Sequence, residues 1–258
     1  MKLTYIKKVL FRIFGLKVYL ILLQKTYLLF YRIGILRLLK EYEWHCFIPQ
    51  LIRTDDVIID MGANIGYFSI VFNKCLGRDG QLYCVEPVPQ YVSVLQSLLG
   101  KKKNVNILQV ALGQSNQEEV TICVPNLGDE LFRHGLAHVA EEPVGTSSKN
   151  YAFKSVLRNP MDLFHHLDRL NYIKCDIEGY EVIVLKEMEP LLQKFRPMVQ
   201  VESWGNQLPV IIQFFGAISY TPYQLKRNKL RCATGICVEE LASSDVLFVP
   251  AEKASHIT

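Results

Sequence analysis

The chain has 258 residues, of which 50% are hydrophobic and 21% charged, so it can bury a full core and a disordered chain is excluded. The net charge of +4 is unevenly distributed, because nine of the 29 Lys and Arg residues and no acidic residue lie in the first 40 positions. The remainder is acidic, which argues against a nucleic-acid-binding protein. The seven cysteines lack a C-x-x-C pair, so we expect no disulfide framework and a cytoplasmic protein.

The N-terminal 45 residues are predicted to form a basic, hydrophobic helical segment that precedes a domain at 46–258. Its longest uncharged run lies between Lys17 and Lys25 and is far shorter than the roughly 18 residues of a membrane span. Two alternatives stay open. Residues 1–40 could bind the cytoplasmic face of an anionic membrane, or they could pack on the domain or on a second subunit.

Short apolar runs alternate with helical stretches from residue 46 onward. Strands are predicted for VIID at 57–60, LYCVE at 82–86, VNILQVAL at 105–112, YIKCDIE at 172–178, MVQVES at 198–203 and VLFVP at 246–250. Helices are predicted at 66–76, 89–99, 180–195 and 208–215. Because the strands are continuously apolar, they indicate an α/β fold with a doubly wound sheet and helices on both of its faces.

The first strand ends in the motif Asp60-Met-Gly62-Ala-Asn64-Ile-Gly66. Ligands of such sheets bind at the carboxyl ends of the strands, which makes this turn the first candidate site. Its glycines are not spaced as in G-x-G-x-x-G, and a carboxylate next to a phosphate is unfavourable. An acid at this turn suits a cationic ligand, and S-adenosylmethionine has a sulfonium, an ammonium and no phosphate.

Glu86 ends the second predicted strand, 26 residues after Asp60. An acid about 20 residues beyond a glycine turn commonly binds ribose hydroxyls in folds of this type. A carboxylate accepts hydrogen bonds from both hydroxyl groups at once. The alternative is that the glycines and Glu86 are ordinary turn and strand-end residues.

Two strands, at 119–125 and 151–156, are predicted to form an additional pair flanking a loop at 126–150. A loop of this length in a compact domain is commonly a lid or a substrate-binding segment, although a variable surface insertion is the alternative. It contains His134 and His138, which we expect to contact substrate or to be ordinary loop residues. Two histidines are an incomplete metal-ligand set, so a divalent metal is not indicated.

The fourth predicted strand runs into the sequence DIEGYE, which contains Asp176, Glu178 and Glu181. Three carboxylates so close together are unfavourable unless a ligand, a metal or a cation uses them. Helix capping is the alternative, above all for Glu181, which begins the following helix.

The motifs VIIDMGANIGYFSI, LYCVEPVPQ, NILQVALG and YIKCDIEGYEVIVLK together resemble the FkbM-type family of S-adenosylmethionine-dependent methyltransferases. The resemblance covers most of residues 55–202, and the Asp-x-Glu-Gly-x-Glu block is its specific part. It implies the class I methyltransferase fold, a Rossmann-like seven-stranded sheet, and O-methylation of a sugar or polyketide hydroxyl. It also adds Ala111 to the expected cofactor-binding residues.

We therefore expect an O-methyltransferase acting on a small-molecule or glycan acceptor. Asp176 is the first candidate for the group that assists the acceptor hydroxyl, followed by Glu178 and Glu202, and Trp204 is a candidate substrate contact. An N-methyltransferase of the same fold and a non-catalytic cofactor-binding scaffold at a membrane are the alternatives. The oligomeric state and the use of a metal stay open.

Overall fold

The computed structural model describes residues 2–124, 138–139, 151–203, 206–235 and 245–256, with side chains described in these ranges except at 2–14, 138–139 and 256. The strands are β1 Val57–Met61, β2 Gln81–Val85, β3 Val105–Leu108, β4 Ala111–Leu112, β5 Glu119–Val124, β6 His138–Val139, β7 Tyr151–Arg158, β8 Tyr172–Cys175, β9 Met198–Glu202, β10 Tyr220–Lys226, β11 Lys229–Cys232 and β12 Asp245–Pro250. The α-helices are α1 Lys2–Arg32, α2 Glu43–Phe47, α3 Tyr67–Cys75, α4 Pro89–Leu99, α5 Pro160–Phe164, α6 Glu181–Glu187, α7 Glu189–Phe195 and α8 Gln207–Ala217.

The main sheet has the strand order β3-β2-β1-β8-β9-β12-β10-β11. The first five of these strands are parallel, and β12, β10 and β11 continue the sheet antiparallel. Alternate residues of β1 pack on opposite faces, because Ile59 lies in a core cluster with α6 and α8 while Ile58 lies in one with α3. The predicted α/β fold with helices on both faces is confirmed.

The sheet has eight strands where the sequence predicts seven. The additional edge strand β11 pairs with β10 in a hairpin that the sequence analysis does not predict. Its two-residue turn, Arg227 and Asn228, has both φ angles in the left-handed region, at 54° and 55°. Left-handed backbone at both positions is typical of the type I′ turns that favour tight hairpins, but it is usually signalled by Asn-Gly or Asp-Gly.

A smaller sheet with the strand order β4-β7-β5-β6 lies beside the main one. The predicted pairing of the two additional strands is confirmed, since β5 and β7 are antiparallel from Glu119 opposite Val156 to Val124 opposite Tyr151. The strand predicted at 105–112 is instead two strands, because β3 pairs with β2 in the main sheet and β4 with β7 in the smaller one.

The N-terminal segment begins with α1, which kinks at Gly15, where φ is 69°. Beyond the kink, Tyr19, Leu20 and Tyr27 are buried against the domain, and the Tyr27 hydroxyl donates a hydrogen bond to the carbonyl oxygen of Tyr67. This face of α1 therefore packs as the second alternative expects. The boundary at residue 45 stays a prediction. No described helix is long and apolar enough to cross a membrane.

The turn after β1 is held against the end of β8. The N–H groups of Gly62 and Ala63 donate to the carbonyl oxygen of Val85, and the N–H of Asp176 donates to that of Met61. Gly62 has a φ of 79°, and a Cβ atom placed there would lie 1.7 Å from the Asp176 carbonyl oxygen. Gly62 is therefore required for this crossing of two backbone segments, whatever it contributes to ligand binding.

We expect Gly62→Ala to lower the free energy of unfolding by more than about 4 kcal/mol, because it combines left-handed strain with a backbone clash. Gly216→Ala is the matched control. Gly216 lies in α8, and a Cβ atom added to it would meet no atom within 4 Å, so alanine there should be neutral or stabilising. Urea denaturation of both variants provides the measurement, and equal stability of the two would contradict the crossing argument.

Candidate active site

The carboxyl ends of β1, β2, β8 and β9 surround one cavity of about 270 Å³. This is the place where open α/β sheets bind ligands. The residues that line it include His45, Asp60, Asn64, Phe68, Glu86, Ala111, Lys174, Asp176, Glu178 and Glu202.

Glu86 closes one end of the cavity and is held in place by the backbone. Its Oε2 atom accepts a hydrogen bond from the N–H of Asn64 and its Oε1 atom accepts one from the N–H of Val88, both at 2.8 Å. A carboxylate oxygen can accept two hydrogen bonds, so each oxygen has one acceptor position that no residue of the described ranges occupies. Two adjacent hydroxyl groups of a ribose match that arrangement. Burial raises the pKa of Glu86 to about 8, while the two N–H donors act to lower it.

Asp60 is buried at the end of β1, with 1% of its surface exposed. Its Oδ2 atom accepts a hydrogen bond from the Ser69 hydroxyl in α3. Burial raises the pKa of Asp60 to about 6, against the lowering effects of the Ser69 hydrogen bond and of Lys174. A cation in the cavity would stabilise the ionised form of this carboxylate.

The loop between β8 and α6 is shaped by Glu181. Its carboxylate accepts hydrogen bonds from the N–H groups of Ile177 and Gly179, at 3.0 to 3.1 Å, and Glu178 and Gly179 both have left-handed φ, at 50° and 106°. Glu181 therefore holds the loop that precedes α6, which has no side-chain cap, and it is not among the residues that line the main cavity. Asp176 and Glu178 are the members of DIEGYE that do line it.

The ammonium group of Lys174 lies in the middle of a carboxylate cluster. Its Nζ atom is 3.4 Å from Asp176, 3.7 Å from Glu202 and 3.6 Å from Asp245, and Asp60 also acts on it electrostatically. Burial alone would lower the pKa of Lys174, but the surrounding carboxylates outweigh burial and raise it. Lys174 is therefore a fixed cation that is unsuited to act as a base.

Acidic side chains outnumber this cation around the cavity. Burial, followed by repulsion from Asp176, raises the pKa of Glu178 to about 7, and the same two causes raise the pKa of Glu202. Acids with raised pKa values at the edge of a cleft are typical of functional sites. Such a site favours a cationic ligand, which relieves the repulsion among the carboxylates.

Most of the site residues predicted from the sequence meet at this cavity: Asp60, Gly62, Asn64, Glu86, Ala111, Asp176, Glu178 and Glu202 line it. Gly66 is not in the lining. It lies at the start of α3 with a φ of 91° and positions that helix. His134 and Trp204 lie outside the described residues, and of His138 only the backbone, in β6, is described. The roles of all these residues stay predictions.

Three charged or polar residues near the site are not predicted from the sequence: Lys174, Asp245 and His45. Lys174 could have been noticed as a charge inside the otherwise apolar strand YIKC, because a buried lysine needs a partner. Asp245 and His45 carry no local signal, since they reach the site from β12 and α2. Within the described ranges, no group of three or more His, Cys, Asp or Glu side chains is arranged to hold a metal ion.

Known proteins resemble this chain in sequence and in fold. A family model described as methyltransferase FkbM domain matches residues 60–223. Methyltransferase sdnD of Sordaria araneosa is 25% identical over 184 residues, which are 62% of this chain and 71% of that protein.

Among solved structures, the methyltransferase FkbM of Methylobacillus flagellatus KT superposes with a TM-score of 0.49 and 13% identity, covering 76% of this chain and 44% of its own. This chain thus spans less than half of that protein. The fibrillarin of Aeropyrum pernix, in complex with natively bound S-adenosyl-L-methionine, superposes with a TM-score of 0.43 and 10% identity, covering 77% and 68% of the two chains.

The raised carboxylate pKa values predict a pH-dependent stability. Glu178 has an ordinary pKa of 4.5 and a folded-state pKa of about 7, so the folded protein binds more protons than the unfolded chain between these values. Stability of the ligand-free protein should therefore fall as the pH rises through this window. Across this pH window, the Tm measured by thermal unfolding should fall less for Glu178→Gln than for the wild type. Asp79→Asn, a change at an exposed acid outside the cavity, should retain the full fall, and an identical profile for all three proteins would contradict the prediction.

Proposed function

Because this chain belongs to the FkbM methyltransferase family and is thus an S-adenosylmethionine-dependent methyltransferase, we propose that it methylates a hydroxyl group of a sugar, a glycan or a related metabolite. One observation carries the proposal. The same cavity has Glu86 at one end, with two free acceptor positions, and the carboxylates of Asp176 and Glu202 around Lys174 at the other.

The residues at the first end fit the cofactor. Glu86 would accept the ribose hydroxyls, Asn64 would contribute to the turn that holds Glu86, and Asp60 would provide negative charge opposite the cationic aminoacyl part. Ala111 lines the cavity at the start of β4, on the route expected for the adenine. These assignments rest on the donor and acceptor sets and on the burial of the residues.

When bound, S-adenosylmethionine would supply an electrophilic methyl group on a sulfonium, and the acceptor oxygen would form the new C–O bond as the C–S bond breaks, with the electron pair staying on the sulfur. The protein's contribution is mainly to hold the oxygen close to that carbon and in line with the sulfur. The hydroxyl must also lose its proton. Asp176 is the proposed proton acceptor, because its carboxylate lines the cavity and is 29% exposed, while Lys174 fixes its position.

The proposal separates cofactor binding from transfer. Asp60→Asn, which keeps the shape and removes the charge, should weaken S-adenosylmethionine binding about tenfold to a hundredfold. Asp176→Asn should bind it almost as well but transfer labelled methyl about 10²- to 10⁴-fold more slowly. Calorimetry with S-adenosylmethionine and label incorporation into an extract of the source cells provide the two measurements.

Asp56→Asn is the control for the loss of a buried acid. Asp56 is 5% exposed, accepts a hydrogen bond from the Arg53 N–H and lies before β1, away from the cavity, so neither binding nor transfer should change beyond any effect on folding. Equal losses of binding in Asp60→Asn and Asp176→Asn would refute the division of roles. A methylated nitrogen in the labelled product would favour the N-methyltransferase alternative, and absence of heat with an intact fold would refute the enzyme itself.

We also propose that the protein binds the cytoplasmic face of an anionic membrane through the outer face of α1 and the turn that follows. The outer face of α1, opposite the buried one, exposes Leu29 at 53%, and the turn that follows exposes Ile33 at 58% and Leu38 at 84%. Exposed basic residues lie among them at Lys25, Arg32 and Arg37. Apolar insertion combined with basic residues is the pattern of an interfacial helix, and each Lys or Arg near the surface contributes about 1 kcal/mol with anionic lipids.

Flotation with phosphatidylserine-containing vesicles tests this surface. The wild type should float, and the combined change of Leu29, Phe30 and Ile33 to Gln should abolish flotation because it removes the apolar contact. Val156→Gln with Val210→Gln, which changes exposed valines far from α1 in sequence, is the matched control and should float. Flotation of the triple variant would contradict the proposal, and so would equal binding of the wild type to purely neutral vesicles. Self-association of the wild type without flotation would identify a second copy of the chain as the partner.

A further inference from the structure

His45 reaches the cavity from α2, in the segment that precedes the sheet. It is 8% exposed and its ring stacks on that of Phe68, with centroids 3.9 Å apart and planes at 22°. The rings of Tyr27 and Tyr42 approach its other sides, at 5.6 Å and 5.4 Å. The imidazole is therefore surrounded by aromatic rings on several sides.

Both ring nitrogens of His45 lack a hydrogen-bond partner among the described residues. Buried polar atoms are nearly always hydrogen-bonded, because an unpaired one loses its contacts with water without replacement. His45 also lines the cavity. Each nitrogen has less than 1 Å² of accessible surface in the ligand-free protein, so a ligand hydroxyl in the cavity can supply one missing hydrogen bond once the surrounding rings shift.

The neighbours of His45 place it at the transfer end of the cavity. Phe68, on which it stacks, has the Lys174 ammonium 5.0 Å from its ring centroid. Lys174 in turn contacts Asp176 and Glu202. His45 thus lies at the end of the cavity that contains these carboxylates, where the methyl acceptor is proposed to bind. Glu86 lies at the other end, where the ribose is proposed to bind.

The imidazole is neutral in this position. Burial, and then the nearby charge of Lys174, lowers the pKa of His45 to about 3. A neutral imidazole has one N–H donor and one acceptor nitrogen. Either nitrogen can bind a hydroxyl group, because a hydroxyl donates a hydrogen bond to the acceptor nitrogen or accepts one from the N–H. An uncharged ring has no comparable attraction for a carboxylate or a phosphate.

We propose that His45 binds a hydroxyl group of the methyl acceptor and so determines its orientation and the selection of hydroxylated acceptors. This role rests on the function proposed above. It requires no transfer of a proton to the ring and makes His45 a positioning and specificity-determining residue.

Two substitutions separate this role from a structural one. His45→Phe keeps a flat ring on Phe68 and removes both nitrogens, whereas His45→Gln keeps one donor group and one acceptor. His45→Phe should lower kcat/KM for methyl transfer into the source-cell extract about tenfold to a hundredfold, and His45→Gln should restore much of it. Calorimetry with S-adenosylmethionine should give the same Kd for the wild type and both variants.

Thermal stability provides a further readout. Because His45→Phe removes two buried unpaired nitrogens, its Tm should rise by roughly 2–4 °C while transfer falls. A lower Tm with a parallel loss of transfer in both variants would show a structural role and overturn the proposal. So would a weakened Kd for S-adenosylmethionine in His45→Phe, or transfer by His45→Phe at the wild-type rate.

Failure of the proposed function can be distinguished from failure of this inference. If the wild type binds S-adenosylmethionine but labels no acceptor, the proposed function fails. Binding of a hydroxyl group by His45 is then tested separately, by nuclear magnetic resonance of ¹⁵N-histidine-labelled wild type saturated with S-adenosylhomocysteine. The ring signals absent from His45→Gln should shift on addition of glycerol or glucose and not on addition of sodium acetate. A shift with acetate alone, or with none of the three probes, overturns the proposal.

Discussion

The site depends on the placement of one ammonium group, that of Lys174, at the meeting point of four strands. Asp60 lies one residue before the end of β1, Asp176 follows β8, Glu202 ends β9 and Asp245 begins β12, and all four carboxylates act on Lys174. Lys174 is fully buried, and removal of one partner from a buried charged pair costs about 3–5 kcal/mol because it leaves a charge uncompensated. The order of the strands in the sheet therefore determines which charged groups meet at the site.

The charge balance of this cluster also determines which ligands suit it. A lysine alone in the cavity would favour an anion, but the carboxylates exceed it in number and Glu178 adds a further one. The excess of acid raises several pKa values and leaves the ligand-free site under repulsion. A cationic cofactor relieves that repulsion, while Lys174 keeps the carboxylates from moving apart in its absence.

The sequence was informative where function depends on a strand end. The positions of Asp60, Glu86 and Asp176 follow from the rule that parallel strands present their carboxyl ends at one edge, and the cavity there agrees with it. The pairing of Lys174 with Asp245 was not predictable, because it joins β8 to β12 across β9 and no local pattern encodes that neighbourhood. The β10–β11 hairpin was missed since its left-handed turn is formed by Arg227 and Asn228 without a glycine.

The N-terminal segment shows why a local hydrophobic pattern was ambiguous there. Its apolar residues lie on two different surfaces, because Tyr27 packs against the domain while Ile33 is exposed. The inward surface reaches the cavity, since Tyr27 contacts both His45 and Tyr67, and both of these line it. A pattern read only along the helix cannot separate residues that close a cavity from residues that face outward. The distinction arises when the segment packs on α3, and the cavity is complete only with that packing.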